Sequence, residues 1–129
     1  IDDSPHFLDA ARGLLEREGI AVVGVASTGA DAVRSVEALR PDVTLLDIDL
    51  GGESGFEVAT RLHRDGRLLP SRVILISTHA EQDYAELIAA SPVVGFLSKS
   101  ALSAGAIRDL LGRDGDGESA APLNGPRGT

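Results

Sequence analysis

Hydrophobic positions along the chain fall into two patterns that alternate with each other. Short, continuous apolar runs predict buried strands, and they lie at 20–26, 42–47, 73–76 and 93–97. Between these runs apolar residues recur every three or four positions, which predicts amphipathic helices. Strands that alternate with helices indicate a parallel sheet, and continuously apolar strands indicate that helices cover both of its faces. The pattern therefore predicts an α/β fold.

Capping residues mark where the predicted helices begin and end. Ser4 and Pro5 suit the start of the first helix, because a Ser side chain caps free backbone amides and Pro fits the first turn. Gly19 ends that helix. The later helix starts are predicted at Thr28, at the capping box Ser54-Gly55-Phe56-Glu57, near residue 81 and at Ser103.

The two ends of the chain differ from its alternating middle. Ile1 followed by Asp2 and Asp3 is typical of the last residue of a strand and the acids after it, so most of a first strand is expected before Ile1. One domain is expected over 1–111. In 112–129 apolar residues are almost absent, and such a segment cannot bury enough surface to offset its ordering entropy. It is expected to be a disordered tail or a truncated linker.

Composition narrows the range of functions. The 129 residues suit one domain, the net charge is −8, and the pI is about 4.7. Such a surface repels nucleic-acid backbones and anionic membranes, so neither is an expected partner. The sequence has no Cys, which excludes disulfides and thiolate chemistry. No apolar run approaches the roughly 20 residues that span a bilayer. These properties predict a soluble, cytoplasmic domain.

Polar side chains follow four of the expected strands at the point where each strand ends. Asp47 follows the central apolar run, and Asp2, Asp3, Ser77 and Lys99 stand at equivalent places in three other segments. Ligands of open parallel sheets bind outside the carboxyl ends of the strands. Acids, a hydroxyl and an ammonium at that edge describe a site for a divalent cation such as Mg²⁺ and for a phosphoryl group.

Each of these residues also has a purely structural interpretation. Asp2 and Asp3 could form a turn or cap the following helix, and Ser77 could cap a helix as well. Asp47 could be a turn residue. It could instead be a metal ligand, a nucleophile that forms an aspartyl-phosphate, or both a ligand and a nucleophile. Lys99 could be solvated, but it is the only Lys among 12 basic residues, which favours a specific need for it.

Together these residues resemble the receiver domain of bacterial response regulators, over residues 1–111. Five motifs occur in the family's order, and although each is weak alone, five in register make a specific signal. They are Asp2-Asp3-Ser4-Pro5, Leu45-Leu46-Asp47-Ile48-Asp49-Leu50, Ser54-Gly55-Phe56-Glu57, Ile76-Ser77-Thr78-His79 and Gly95-Phe96-Leu97-Ser98-Lys99. The first and the last motif are most similar to the LuxR/NarL-type subfamily, whose receivers are often joined to helix-turn-helix domains.

The resemblance implies a flavodoxin-like (βα)5 fold, with five parallel strands in the order 2-1-3-4-5 when they are counted along the chain. It also implies a two-component system in which a sensor histidine kinase phosphorylates Asp47 in a Mg²⁺-dependent reaction. Asp3 and Asp47 would hold the ion together with the backbone carbonyl of Asp49, and Asp2 would assist.

The resemblance further implies how the phosphorylated domain acts. Ser77 and Lys99 would contact the phosphoryl oxygens, and movement of Ser77 would let Phe96 rotate inward as the switch aromatic. The surface around the fourth and fifth helices would then control an output domain or a separate partner protein, and phosphorylation could produce a homodimer. The domain would be a signalling module and not an enzyme, since it would catalyse only its own phosphoryl transfer and dephosphorylation.

Some positions depart from the family pattern. Gly51 stands where the family often has Pro, which predicts a more flexible loop, and Ser100 replaces another frequent Pro, so no cis-Pro is expected. Asp49 and His79 occupy positions that influence the dephosphorylation rate in the family. His79 itself is interpreted as a solvated side chain.

Two other functions fit parts of the sequence. Asp47-Ile48-Asp49 after an apolar strand also resembles the start of the haloacid-dehalogenase-type phosphotransferase motif, although those proteins normally need a larger body and a cap. A receiver-like domain that only binds partners is the other alternative. The intact acid pair, acceptor, hydroxyl and Lys argue against it.

Overall fold

A computed structural model of the protein describes residues 1–65 and 72–120, except for the side chains of residue 65 and of 113–120. The α-helices in these ranges are α1 (Pro5–Arg17), α2 (Gly29–Leu39), α3 (Gly55–Asp65), α4 (Ala85–Ala89) and α5 (Ala104–Ala120). The strands are β1 (Thr44–Asp47), β2 (Asp49–Leu50), β3 (Glu53–Ser54), β4 (Val73–Ser77) and β5 (Gly95–Ser98). Two 3-10 helices, η1 (Glu81–Tyr84) and η2 (Lys99–Ala101), follow β4 and β5.

Three strands form the main sheet, in the order β1-β4-β5 with parallel pairing throughout. Asp47 lies opposite Ile76, and Ser77 lies opposite Ser98, so the three strands end at the same edge. Every residue of the central strand β4 is buried, as expected when helices cover both faces of a sheet. The predicted α/β class with a parallel sheet is confirmed.

A hydrophobic core lies on each face of the sheet. One contains Val36 of α2 and Leu62 of α3. The other contains Leu15 of α1, Ile107 of α5 and Ile74 of β4. The two helix layers therefore hold the strands from both sides and fix the edge at which they end.

The helix α5 begins at two caps from different parts of the chain. Ser103 Oγ accepts a hydrogen bond from the Ala106 amide at 3.0 Å, as predicted. Glu18, at the end of α1, accepts a second one from the Ala104 amide at 2.7 Å. These bonds satisfy amides that have no partner within the helix, and the second bond ties α1 to α5.

The strand predicted at 20–26 is not confirmed, since this segment has no strand assignment in the structure. Its Ala26 carbonyl accepts a bond from the Asp2 amide at 3.0 Å. On its other side the Ile1 carbonyl accepts a bond from the Asp47 amide at 3.0 Å. Ile1 and Asp2 thus lie between 20–26 and β1, and the single bond to Ala26 does not form a ladder that would define a strand.

Next to Ile1 a groove of about 500 Å³ lies between the 20–26 segment and β1. Its lining is largely aliphatic and includes residues of α1 and α5. Thr44 is 6% exposed, and its hydroxyl has no hydrogen-bond partner among the described residues. The outer residues Val23 and Val25 are 56% and 46% exposed.

Two further boundaries differ from prediction. The helix expected over 81–90 is divided, since a 3-10 helix precedes the short α4. The backbone of α5 continues to Ala120, into the segment predicted to be disordered from residue 112. Extending an existing helix adds one hydrogen bond for each residue fixed, so it is much less costly than starting one. Residues 121–129 lie outside the described part of the chain. No described helix is long and apolar enough to cross a membrane.

Candidate functional site

Polar residues are buried at the edge where the strands end. Asp2, Asp47 and Ser77 are 1%, 6% and 1% exposed, although they lie beside an aliphatic core. Burying a carboxylate is costly unless it is paired or binds a metal ion. The burial of two acids at one edge therefore requires a compensating positive charge.

Asp2, Asp3 and Asp47 converge on one point. Each offers one carboxylate oxygen, and the three oxygens all lie within 4.8 Å of one another. Asp3 is exposed, whereas the other two are buried. Mg²⁺ is a hard ion that binds carboxylates and retains several waters, so this donor set at the border between core and solvent fits it.

Lys99 supplies a positive charge to the two buried acids. Its Nζ lies 2.6 Å from Asp2 Oδ2 and 3.0 Å from Asp47 Oδ2, and its side chain is 14% exposed. Lys99 follows β5 directly, and β4 lies between β5 and β1. The long side chain thus reaches across the end of the central strand, and the structure does not place it in bulk solvent.

The surroundings of the site shift the pKa values of both Asp47 and Lys99. Burial raises the pKa of the Asp47 carboxyl above its ordinary value. Hydrogen bonds from the Asp49 amide, at 3.1 Å to Oδ1, and from Lys99 lower this pKa without cancelling the rise. For Lys99, burial lowers the pKa, but hydrogen bonds to Asp2 and Asp47 outweigh it and leave the pKa raised.

Asp47→Asn is expected to stabilise the domain by about 1–3 kcal/mol at neutral pH, because it removes a buried charge from a cluster of acids. The pKa of Asp47 in the folded state is raised above the ordinary value of 3.8. Between these two values the folded state binds more protons than the unfolded state, so wild-type stability falls as the pH rises. The advantage of the variant should shrink as the pH is lowered toward 3.8. Urea unfolding across this pH range measures it, and a difference independent of pH would contradict the explanation.

Ser77 sits in a turn with His79. Its Oγ accepts a hydrogen bond from the His79 amide at 2.9 Å, and the Nδ1 atom of His79 lies 3.5 Å from the same oxygen. The hydroxyl keeps its own hydrogen as a donor. The His79 ring also meets the Tyr84 ring edge-on, at 6.0 Å between centroids. His79 is exposed, as interpreted from the sequence, but its contacts with Ser77 and Tyr84 were not predicted.

The segment after the Asp47 strand, where Gly51 predicts a more flexible loop, forms a hairpin. Strands β2 and β3 pair antiparallel around Gly51 and Gly52, which have φ of +62° and +124°. Glycine adopts such angles without strain. A Cβ on Gly51 would lie 2.9 Å from Asp3 Oδ2, so glycine also leaves room for that acid. Glu53 anchors the hairpin, since its Oε1 accepts a bond from the first amide of α2 at 2.8 Å.

Two aromatic residues lie close to the site or behind it. Phe96 is 7% exposed and packs in the core cluster that also contains residues of α2 and α3. The Phe7 ring lies under the Lys99 ammonium, 4.4 Å from Nζ to its centroid. Helical spacing alone places Phe7 on the apolar face of α1, and it contains no information about a contact with a residue so distant in the chain.

A family model described as the response regulator receiver domain matches residues 1–111 of the chain. The chain belongs to the response regulator receiver family. This membership confirms the resemblance found in the five motifs. It does not favour the haloacid-dehalogenase alternative.

Similar proteins support the subfamily as well. The chain is 32% identical over 99 residues to the DNA-binding transcriptional activator EvgA of Escherichia coli K12, covering 77% of this chain and 48% of EvgA. It is 34% identical over 114 residues to the transcriptional regulatory protein DesR of Bacillus subtilis, covering 85% and 55%. The signal receiver domain of the putative response regulator NarL from Mycobacterium tuberculosis aligns with a TM-score of 0.73 at 34% identity, covering 87% and 90%. The receiver is thus of the LuxR/NarL type, and the chain spans about half the length of the curated relatives it matches.

Proposed function

We propose that the protein is a phosphoacceptor receiver of a two-component system, in which a sensor histidine kinase transfers a phosphoryl group to Asp47. The observation that carries this proposal is the ion-paired cluster at the strand edge. Lys99 lies 2.6 Å and 3.0 Å from two buried carboxylates, and Asp3 adds a third carboxylate nearby. A cluster of this kind can accept and neutralise a phosphoryl group, but it has no evident role in a fold that only needs a core.

The residues at this edge supply what phosphoryl transfer requires, which is mainly alignment and charge neutralisation. A carboxylate oxygen of Asp47 attacks phosphorus, and the bond from phosphorus to the donor breaks as the acyl phosphate forms. The Asp49 amide orients the carboxylate through Oδ1. Lys99 neutralises charge on the phosphoryl oxygens, and the Ser77 hydroxyl donates a hydrogen bond to one of them.

Mg²⁺ fits the acidic part of the site and would supply further positive charge to the phosphoryl oxygens. Asp3 and Asp47 would hold the ion with the backbone carbonyl of Asp49, and Asp2 would assist. The hairpin that Glu53 anchors keeps the Asp49 backbone close to these acids. The domain would catalyse only its own phosphoryl transfer and dephosphorylation.

The switch proposed for Ser77 and Phe96 would transmit the chemical change. Movement of the Ser77 hydroxyl toward the phosphoryl group would break the bond from the His79 amide and so alter the turn after β4. The affected surface lies around α4 and α5. The longer relatives are named as transcriptional regulators, which supports control of an output domain or of a separate partner, with homodimerisation as one possible form of the response.

We propose in addition that the sheet has five strands in the order 2-1-3-4-5. Here strand 1 is the strand that ends at Ile1, strand 2 is the 20–26 segment, and strands 3, 4 and 5 are β1, β4 and β5. The bonds of Ile1 to β1 and of Asp2 to Ala26 support this order, because they place the 20–26 segment and β1 on opposite sides of one strand end. A version with a short Val- and Ile-rich strand fused before Ile1 should fill the groove, raise the urea midpoint and protect the amides of 20–26 from hydrogen exchange. Unchanged exchange in 20–26 would contradict the order.

The function itself is tested by incubating the protein with acetyl phosphate, with Mg²⁺ or with excess EDTA. Intact-mass spectrometry should show one added phosphoryl group only when Mg²⁺ is present, and tandem spectra after borohydride reduction should locate it at Asp47. Failure to label, together with no effect of Mg²⁺ and beryllofluoride on the NMR spectrum, would favour a domain that only binds partners.

A further inference from the structure

Phe7 contacts the site in a way that the proposed function does not use. It lies in the first turn of α1, and the Lys99 Nζ sits 4.4 Å from the centroid of its ring. A cation within about 6 Å of an aromatic face is attracted by the negative charge of that face. The contact therefore joins the ammonium of the site to α1.

The Lys99 ammonium has three hydrogens, and its surroundings offer three partners. Two are carboxylate oxygens, Asp2 Oδ2 at 2.6 Å and Asp47 Oδ2 at 3.0 Å. The Phe7 ring is the third. The ring covers part of the ammonium that the carboxylates leave open, and it thereby limits both the access of water and the freedom of the side chain to turn outward.

The ring is itself held by the start of α1. Ser4 Oγ accepts a hydrogen bond from the Phe7 amide at 3.3 Å, and Asp2 Oδ1 accepts one from the Ser4 amide at 2.9 Å. Phe7 also packs against the core between α1 and α5. One helix cap thus fixes both Asp2 and Phe7, and both contact the Lys99 ammonium.

We infer that Phe7 is a positioning residue for phosphoryl transfer, and that its ring holds the Lys99 ammonium toward Asp47 through a cation–π contact. The inference rests on the proposed function, since the ammonium is assigned there to the phosphoryl oxygens. Removing the ring leaves the acceptor and the metal ligands in place. It lets the ammonium turn toward solvent, and transfer slows because its charge is no longer held at the reacting group.

Two substitutions separate the effect of the aromatic face from the effect of side-chain volume. Phe7→Leu keeps an apolar side chain for the core and removes the aromatic face, whereas Phe7→Tyr keeps that face. At saturating Mg²⁺ we expect the rate of labelling by acetyl phosphate to fall about 3–10-fold in Phe7→Leu and to stay within about twofold of wild type in Phe7→Tyr. The matched control is Phe56→Leu, which makes the same change in a ring that lies 6.0 Å from Tyr84.

The electrostatic potential of the ring face can be changed with little change in the shape of the ring. 4-Fluorophenylalanine at position 7 weakens the negative potential of the ring face, and pentafluorophenylalanine reverses it. The labelling rate should fall in that order while Mg²⁺ affinity, measured by titration, stays within about twofold. A packing role alone predicts no such graded fall.

The contact between Lys99 and Phe7 can also be measured directly by NMR. Lys99 is the only Lys in the chain, so its ε-methylene signals are easily assigned. Its ε-methylene protons should show an upfield ring-current shift in wild type that is lost in Phe7→Leu and kept in Phe7→Tyr. An absent shift, or equal labelling rates in wild type, Phe7→Leu and the pentafluoro variant, would overturn the inference. Loss of all labelling in a wild-type protein that still shows the ring-current shift would instead contradict the proposed function, so the two failures can be distinguished.

Discussion

Asp47→Asn should abolish phosphorylation of the domain, with labelling by acetyl phosphate reduced at least about 10³-fold. Asn is nearly the same size, so the residue should remain at the end of β1, but its amide is a far poorer nucleophile than a carboxylate. Labelling is measured by intact-mass spectrometry over time in the presence of Mg²⁺. The variant should remain folded, since it loses a buried charge that the fold does not favour.

The adjacent acid provides a matched control for this experiment. Asp49 is exposed, and only its backbone is assigned to the site. Its amide donates to Asp47 at 3.1 Å, and its carbonyl is the proposed ligand of Mg²⁺. Asp49→Asn should therefore keep labelling at Asp47 within about tenfold of wild type, a change of about 1.4 kcal/mol in the barrier. If Asp47→Asn were labelled normally while Asp49→Asn were not, the acceptor would be Asp49 and the proposed assignment would be wrong.

Lys99→Met should reduce the rate of phosphoryl transfer about 100-fold, which is the typical cost of removing one preorganised group that stabilises developing negative charge. Met keeps the length and apolar body of the side chain but removes the ammonium. The same substitution should strengthen Mg²⁺ binding, because the ammonium occupies Asp2 Oδ2 and Asp47 Oδ2, which are oxygens of the acids that would hold the ion. Transfer kinetics and a calorimetric Mg²⁺ titration measure the two effects.

Opposite changes in rate and in metal affinity separate a loss of chemistry from a loss of folding, since an unfolded chain would lose both. Lys99→Arg is the control, because it keeps the charge. Its planar guanidinium does not reproduce the compact ammonium, so only part of the rate should return. A Lys99→Met variant that transfers phosphate as fast as wild type would show that Lys99 serves only to compensate buried acids.

The sequence predicted those parts of the site that depend on strand ends. Runs of apolar residues located β1, β4 and β5, and the parallel order that follows from alternating helices brings their carboxyl ends to one edge. Strand ends therefore suffice to group Asp47 with Lys99, and the structure places Asp47 Oδ2 and Lys99 Nζ 3.0 Å apart.

The parts that could not be predicted depend on contacts between distant segments. The segment 20–26 is as apolar as a strand, but strand formation requires a partner along its whole length, which propensity does not reveal. The bond between Glu18 and the Ala104 amide joins residues 86 positions apart, and no local pattern marks it. Gly51 identified a loop position, but the sequence did not reveal that two successive glycines with positive φ close a hairpin there.

The bond between Glu18 and the Ala104 amide has a consequence for how the domain opens. It fixes the end of α1 to the start of α5, and Leu15 and Ile107 of these helices share one core. Elements joined in this way tend to open as one cooperative unit. The two helices should therefore lose their protection from hydrogen exchange together, although they lie at opposite ends of the described chain.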